Sequence, residues 1–164
     1  MSELKKPWLV NEAVDFLETY LTDQMTMLEF GSGYSTLWFQ TKVKQIFSIE
    51  YNKQWYDDIS KQASSNCNLI FVDAVETVPN DETVPSYSYI VDQYEDEFFD
   101  FILVDGRNRV DCFLKCDRVL KAGGVIMLDN SERPEYSEVF KFYENKKLFE
   151  VFGDYGWKTS WWIK

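Results

Sequence analysis

The chain has 164 residues and a formal net charge of −11, and its composition is that of one folded domain. Hydrophobic residues make up 45% and aromatic residues 18%, enough apolar material for a packed core. Histidine is absent, which excludes Ser-His-Asp triads and histidine-liganded metal sites. Because the acidic excess repels phosphate backbones, the composition predicts no nucleic-acid partner.

The sequence also predicts no membrane partner. It contains no apolar run long enough to cross a bilayer, and residues 1–6 lack the apolar stretch of a signal peptide. We therefore expect a cytoplasmic protein. Nothing in the sequence specifies an oligomeric state.

The first half of the chain alternates between helical and extended patterns, which predicts a mostly parallel sheet between two layers of helices. A helix is expected after Asn11, because Val14, Leu17 and Leu21 recur with helical spacing. Further elements follow in order: a strand over residues 25–30, a helix over 36–41, a strand over 45–49, a helix capped by Asn52, and a strand over 69–72.

The second half continues the alternation. Residues 75–98 are predicted to form a loop with a short helix, and the apolar run 101–104 a strand buried on both faces. The next helix is expected to end at Gly123 and Gly124, before a strand over 125–128. A helix beginning at Pro134 precedes a terminal antiparallel hairpin over 148–152 and 157–163, with the Trp161–Trp162 pair closing the sheet edge.

A glycine turn follows the first predicted strand. It consists of Gly31, Ser32 and Gly33, preceded by Glu29, and it lies at the carboxyl end of the strand, where open α/β sheets bind ligands. Glycine permits positive φ and close approach of backbone amides to a ligand. The alternative is an ordinary tight turn without function.

Glu50 favours the functional alternative. It ends the next strand 19 residues after Gly31, close to the spacing at which an acidic residue accepts hydrogen bonds from ribose hydroxyls. Thr36 stands where a dinucleotide-binding fingerprint has its third small residue, which disfavours NAD. Glu29 suits a ligand that carries positive charge. The sequence thus predicts a nucleoside ligand with a cationic group.

These residues, together with Asp105 and residues 120–124, resemble the ordered motifs of class I S-adenosylmethionine-dependent methyltransferases. The resemblance implies a Rossmann-like, seven-stranded sheet, a terminal antiparallel hairpin, and a single domain over residues 1–164. It also implies that Glu29, Gly31 and Gly33 hold the methionine part of the cofactor, Glu50 the ribose, and Asp73 with Ala74 the adenine, with Tyr51 near the adenine face. Ser32 and Asp105 are further expected cofactor contacts.

A second likeness concerns the metal-dependent catechol-type and caffeoyl-type O-methyltransferases. Asp105, Asp129 and Asn130 occupy the places of that branch's ligands, and their oxygens suit magnesium. Capping of the adjoining helices is an alternative explanation. Because arginine follows Gly106 where that branch often has an acidic residue, we favour a metal-independent site in which Arg107, the nearest cation in sequence, neutralises the two carboxylates.

Arg107, Arg109 and Arg133 fall in the loops after the fourth and fifth predicted strands. Their guanidinium groups suit an anionic acceptor, and local ion pairs with neighbouring carboxylates are the alternative. The implied activity is methyl transfer from S-adenosylmethionine to an O or N atom of a small molecule, with Asp105 as base or orienting group. Two rivals remain: a non-catalytic cofactor-binding module and an NAD-dependent oxidoreductase.

Overall fold

The structure, a computed structural model, describes residues 6–73 and 87–164. Within these residues one sheet contains seven strands: β1 (Thr26–Phe30), β2 (Gln45–Glu50), β3 (Cys67–Phe71), β4 (Phe99–Val104), β5 (Leu120–Leu128), β6 (Lys147–Phe152) and β7 (Lys158–Ile163). Their order is β3-β2-β1-β4-β5-β7-β6, and β7 runs antiparallel to both of its neighbours. The predicted α/β fold with a C-terminal antiparallel hairpin is confirmed.

Helices cover both faces of the sheet. They are α1 (Asn11–Tyr20), α2 (Tyr34–Phe39), α3 (Lys53–Ser60), α4 (Arg109–Val119) and α5 (Ser137–Phe142), with 3₁₀ turns at Tyr87–Gln93, Pro134–Tyr136 and Asp154–Gly156. Alternate residues of β1 face opposite layers: Leu28 and Phe30 pack in the cluster that contains the buried residues of α4, whereas Met27 packs with those of α1. The result is a three-layer sandwich with two apolar cores.

The carboxyl ends of the central strands lie side by side at one edge of the sheet. Backbone hydrogen bonds continue past the strand ends, from Asp105 N to Phe30 O (3.0 Å) and from Asp129 N to Val104 O (3.3 Å). Asn52 caps α3 as predicted, because its side chain accepts a hydrogen bond from Trp55 N. The residues that follow β1, β2, β4 and β5 are thereby brought together at the carboxyl ends of the strands.

Two predictions about helix ends were wrong. Asn11 does not cap α1; Val10 holds that position without a side-chain hydrogen bond. α4 ends at Val119, and residues 120–124 belong to β5. The pairing of β4 with β5 jumps from Phe99–Leu120 to Phe101–Val125, so the glycines lie in an irregular part of a strand.

The tryptophan pair does not close the sheet edge. β7 lies between β5 and β6, and β6 is the edge strand. Because successive strand residues point to opposite faces, Trp161 packs in the core beside α1 and Trp162 in the core beside α4. In residues 6–73 and 87–164, no helix is long and apolar enough to cross a membrane.

Candidate functional site

A cleft of about 380 Å³ opens at the carboxyl edge of the sheet. It is formed by the glycine turn after β1, the end of β2, the loop after β4, and the N-terminal segment before α1. Its lining residues are Trp8, Gly31, Ser32, Gly33, Tyr34, Ser35, Glu50, Tyr51, Trp55, Asp105, Gly106, Arg107, Arg109 and Arg133. The structure therefore brings together most of the residues that the sequence singled out.

Gly31 and Gly106 allow the loops after β1 and β4 to pack closely beside the cleft. Gly31 has φ +94°, and a Cβ there would lie 2.8 Å from the Asp105 carbonyl oxygen. A Cβ on Gly106 would lie 2.9 Å from the Gly31 nitrogen and 2.4 Å from the hydroxyl of buried Tyr87. The loops after β1 and β4 therefore touch through backbone alone. Gly106 was missed as a site residue because only the tertiary structure shows this contact.

Glu50 ends β2 inside the cleft and is almost fully buried. Its Oε1 accepts hydrogen bonds from the backbone amides of Tyr51 (3.0 Å) and Asn52 (2.7 Å). Its Oε2 accepts two more from Ser32, one from the backbone amide and one from Oγ, both at 2.9 Å. The carboxylate thus ties the glycine turn to the start of α3.

Glu29 lies beneath the glycine turn and not among the cleft-lining residues. It is fully buried, and its carboxylate accepts hydrogen bonds from the hydroxyls of Ser35 (2.5 Å), Thr36 (2.6 Å) and Ser48 (2.6 Å). Burial raises the pKa of Glu29 to about 7 even though the three hydroxyls lower it. The expected contact of Glu29 with a cationic ligand is absent from this geometry, in which its oxygens hold the turn and α2.

Asp105 faces the cleft and forms an ion pair with Arg109, with 2.9 Å between Oδ1 and Nη2. Burial and the neighbouring Asp129 raise the pKa of Asp105, and Arg109 opposes the shift. Asp129 accepts a hydrogen bond from Thr159 Oγ1 at 2.7 Å. The predicted arginine partner of this carboxylate pair is present, but it is Arg109; the expectation of Arg107 was wrong.

Arg109 is the first residue of α4, four residues after Asp105, and it reaches the Asp105 carboxylate from there. Its guanidinium group also donates to the carbonyl oxygens of Gly106 (3.0 Å), Asp129 (2.7 Å) and Asp105 (3.1 Å) and to Asn130 Oδ1 (3.2 Å). Arg109 thus joins the loops after β4 and β5. Among the residues that the structure describes, no group of three or more Cys, Asp or Glu side chains is arranged to hold a metal ion.

Arg107 and Arg133 lie nearer the rim of the cleft. The guanidinium carbon of Arg107 is 5.0 Å from the centre of the Tyr51 ring. Arg133 donates to Tyr136 Oη (3.3 Å) and Asn130 Oδ1 (3.4 Å). All three arginines singled out from the sequence therefore line one cleft, although Arg109 has most of its donors engaged by the chain.

An aromatic wall, formed by Trp8, Tyr34 and Trp55, lines another part of the cleft. The Tyr34 ring makes edge contacts with Trp8 (6.1 Å between centroids) and Trp55 (5.9 Å). Trp8 is 77% exposed and Trp55 37%. The sequence did not single out Tyr34 or Trp55 as site residues, because helical periodicity does not show which residues meet a neighbouring loop.

The expected adenine-side residues are only partly placed. Tyr51 lines the cleft and makes an edge contact with Tyr87. Asp73 is exposed after β3 and is not among the lining residues, and Ala74 lies outside the described residues, as do residues 75–86 of the predicted loop.

Comparison with known proteins supports the fold assignment. No family model matches the sequence, and no curated protein does. Among solved structures, an rRNA methylase from Streptococcus thermophilus is 13% identical and superimposes with a TM-score of 0.67, covering 99% of each chain. A tRNA (m1A58) methyltransferase from Aquifex aeolicus is 13% identical, with a TM-score of 0.66, 98% coverage of this chain and 72% of its own.

A third neighbour is a precorrin-6y C5,15-methyltransferase from Geobacter metallireducens, 19% identical, with a TM-score of 0.64 and coverage of 97% and 94%. These three neighbours are methyltransferases by name, and a further neighbour from Aquifex aeolicus, 16% identical with a TM-score of 0.58, is named as S-adenosylmethionine-dependent. At these identities the similarity establishes a shared fold. These neighbours do not show the expected likeness to the catechol-type branch.

The neighbours correct one prediction. The sequence-based exclusion of nucleic acid as a partner was wrong, because this fold carries methyltransferases of both tRNA and rRNA. The physical reason is that net charge is a property of the whole chain. The cleft lining holds three arginines beside two carboxylates, so its local charge differs from the overall −11.

Proposed function

We propose that the chain, as a single domain over residues 1–164, transfers a methyl group from S-adenosylmethionine to an O or N atom of an acceptor bound in the same cleft. The observation that carries the proposal is the placement of Glu50 beside the glycine turn at the carboxyl edge of the sheet. A nucleoside suits this arrangement, because the carboxylate can accept hydrogen bonds from ribose hydroxyls and the glycine turn lets a ligand approach the backbone closely. The class I methyltransferase fold supports the same ligand.

The strand order favours this function over the NAD-dependent rival. The doubly wound dinucleotide-binding sheet has the order 3-2-1-4-5-6. This sheet inserts the reversed β7 between β5 and β6. Thr36 stands at the position where the dinucleotide fingerprint needs a small residue. Its hydroxyl is hydrogen-bonded to Glu29 and to the Gly33 amide.

The residues divide the work by position. We assign Glu50 to the ribose, Tyr51 to the adenine side, and residues 31–33 with Asp105 to the methionine part of the cofactor, whose sulfonium supplies an activated methyl group. Glu29 acts as a positioning residue beneath the turn. Asp105 is the candidate base, because burial and Asp129 raise its pKa toward the range in which it accepts a proton.

We propose that the transfer is metal-independent, and the geometry around Arg109 supports this. Arg109 neutralises Asp105 and holds the loop that carries Asp129 and Asn130, so the chain itself balances the charges that a cation would balance in the catechol-type branch. Most of the acceleration would then come from alignment of the acceptor with the methyl group.

The acceptor has two candidate classes. A small molecule with a planar ring fits the aromatic wall, and one neighbour acts on precorrin. RNA is the second candidate, because two neighbours act on tRNA or rRNA and because Arg107 and Arg133 at the rim suit phosphate. Transfer of a labelled methyl group from S-adenosylmethionine into the RNA or the small-molecule fraction of a cell extract separates the two.

The cofactor assignment is tested by calorimetry with S-adenosylhomocysteine. We expect binding by the wild-type protein and a loss of about 1.5–3 kcal/mol of binding free energy in Glu50→Gln, since a charged hydrogen-bond partner is removed. Asp58→Asn, on the exposed side of α3, is the matched control and should bind as the wild type does. No binding by the wild-type protein would refute the proposed function.

A further inference from the structure

The four donors on Glu50 differ in how readily they leave it. A carboxylate offers about four acceptor positions, and the chain's own donors fill all four. Three of them are backbone amides, fixed by the glycine turn and by the start of α3. The fourth is the hydroxyl of Ser32, which can leave by rotation about a single side-chain bond.

We infer that the Ser32 hydroxyl occupies the position on Glu50 Oε2 that a ribose hydroxyl of the cofactor takes. This rests on the proposed function, since it concerns how the same cleft accepts its nucleoside. Ser32 lines the cleft, and its hydroxyl is the one donor on Glu50 that can be exchanged without a backbone shift. Ser32 is therefore an affinity-setting residue that acts through Glu50.

Two consequences follow for recognition. Cofactor binding exchanges one hydrogen bond on Glu50 for another, so the net gain is smaller than that of a new bond. Glu50 also has room for one ribose hydroxyl, while the amides of Ser32, Tyr51 and Asn52 keep the other three positions. In the free protein the Ser32 hydroxyl satisfies a buried charge that would otherwise lack a partner.

The test is Ser32→Ala, measured by calorimetry with S-adenosylhomocysteine and with its 2′,3′-dideoxy analogue. Without the competing hydroxyl, the variant should bind S-adenosylhomocysteine about three- to tenfold more tightly than the wild type. Affinity for the dideoxy analogue should change less than about twofold, because that ligand brings no hydroxyl to Glu50. Ser131→Ala, a buried serine bonded to Ser160 outside the cleft, is the control and should change neither affinity.

The two ligands separate this effect from damage to the fold, which would weaken both. If Ser32→Ala proves unstable, Ser32→Cys replaces the hydroxyl with a weaker donor and should shift the affinities in the same direction. Unchanged or weaker binding of S-adenosylhomocysteine by the variants, with normal binding by the wild type, would overturn the role of Ser32 alone. Failure of the wild type to bind would instead refute the proposed function.

Discussion

At the scale of single residues, the two glutamates beside the glycine turn have divergent environments. The Glu50 carboxylate accepts hydrogen bonds from three backbone amides and one hydroxyl. The Glu29 carboxylate accepts hydrogen bonds from hydroxyls alone and is fully buried. Burial accordingly raises the pKa of Glu29 to about 7. A carboxyl group whose pKa is about 7 and which lies under the glycine turn links the stability of that turn to pH.

Glu29→Gln should remove this link. The folded protein holds the Glu29 proton more tightly than the unfolded chain, where the group titrates near 4.5, so the stabilisation is present at low pH and is lost as pH rises toward 7. The free energy of unfolding of the wild type, relative to the variant, should fall by on the order of 3 kcal/mol between pH 4.5 and pH 7. Urea denaturation across this range measures it, with the exposed Glu12→Gln as control. Parallel curves for Glu29→Gln and the wild type would contradict the assignment.

The proposed role of Asp105 as a base predicts how kcat depends on pH. As a base it must lose its proton, and since burial and Asp129 raise its pKa, kcat should increase with pH above the ordinary range of an aspartate. Asp105→Asn should lower kcat by roughly 10²- to 10⁴-fold. The affinity for S-adenosylhomocysteine should fall by a much smaller factor than kcat, because Glu50 and the glycine turn remain even though Asp105 is also assigned to the methionine part. Exposed Asp92→Asn is the control. A variant with wild-type turnover and pH profile would leave Asp105 a purely structural partner of Arg109.

At the scale of elements, β1 and β4 are joined at their carboxyl ends by the contact between Gly31 and Gly106. A side chain at Gly31 meets the backbone of Asp105, which cannot rotate away. Gly123 offers a matched comparison, because its φ of +78° is also positive but nothing lies within 4 Å of a Cβ there. The two positions separate the cost of backbone conformation from the cost of overpacking.

Gly31→Ala should therefore destabilise the protein more than Gly123→Ala does. Both substitutions place a side chain at positive φ, and Gly31→Ala adds a clash that costs about 1–3 kcal/mol. Chemical denaturation of the two variants measures the difference. Equal losses of unfolding free energy in the two variants would show that the loops after β1 and β4 can move apart to make room for the alanine side chain.

The element predictions failed where a tertiary contact outweighed local preference. Two adjacent glycines after a helical pattern are typical of a helix end, but the chain leaves α4 at Leu120, which pairs with Phe99 of β4. Gly124 has no room for a side chain: a Cβ would lie 2.9 Å from the Asp100 carbonyl oxygen. Gly124 therefore allows β5 to pack closely against β4. Sequence spacing alone does not distinguish such a glycine from one that caps a helix.

At the scale of the whole molecule, overall charge was a poor basis for excluding a class of partner. The net charge of −11 is an average over a surface on which acidic side chains predominate, whereas Arg107, Arg109 and Arg133 meet at one cleft. They meet because the loops after β4 and β5 adjoin in the sheet. A ligand experiences the local field of the cleft, which a sum over the chain does not describe.

The sequence by itself determined the layer architecture, the antiparallel terminal hairpin and the strand ends that form the candidate site. Those features depend on hydrophobic periodicity and on glycine and acidic residues at fixed spacing, which are local properties of the chain. Only the tertiary structure decided that Glu29 lies below the cleft, that Arg109 and not Arg107 pairs with Asp105, and that Ser32 fills the last position on Glu50. Each of these depends on which side chains from distant strands reach the same point in space, and neighbours along the chain do not specify that.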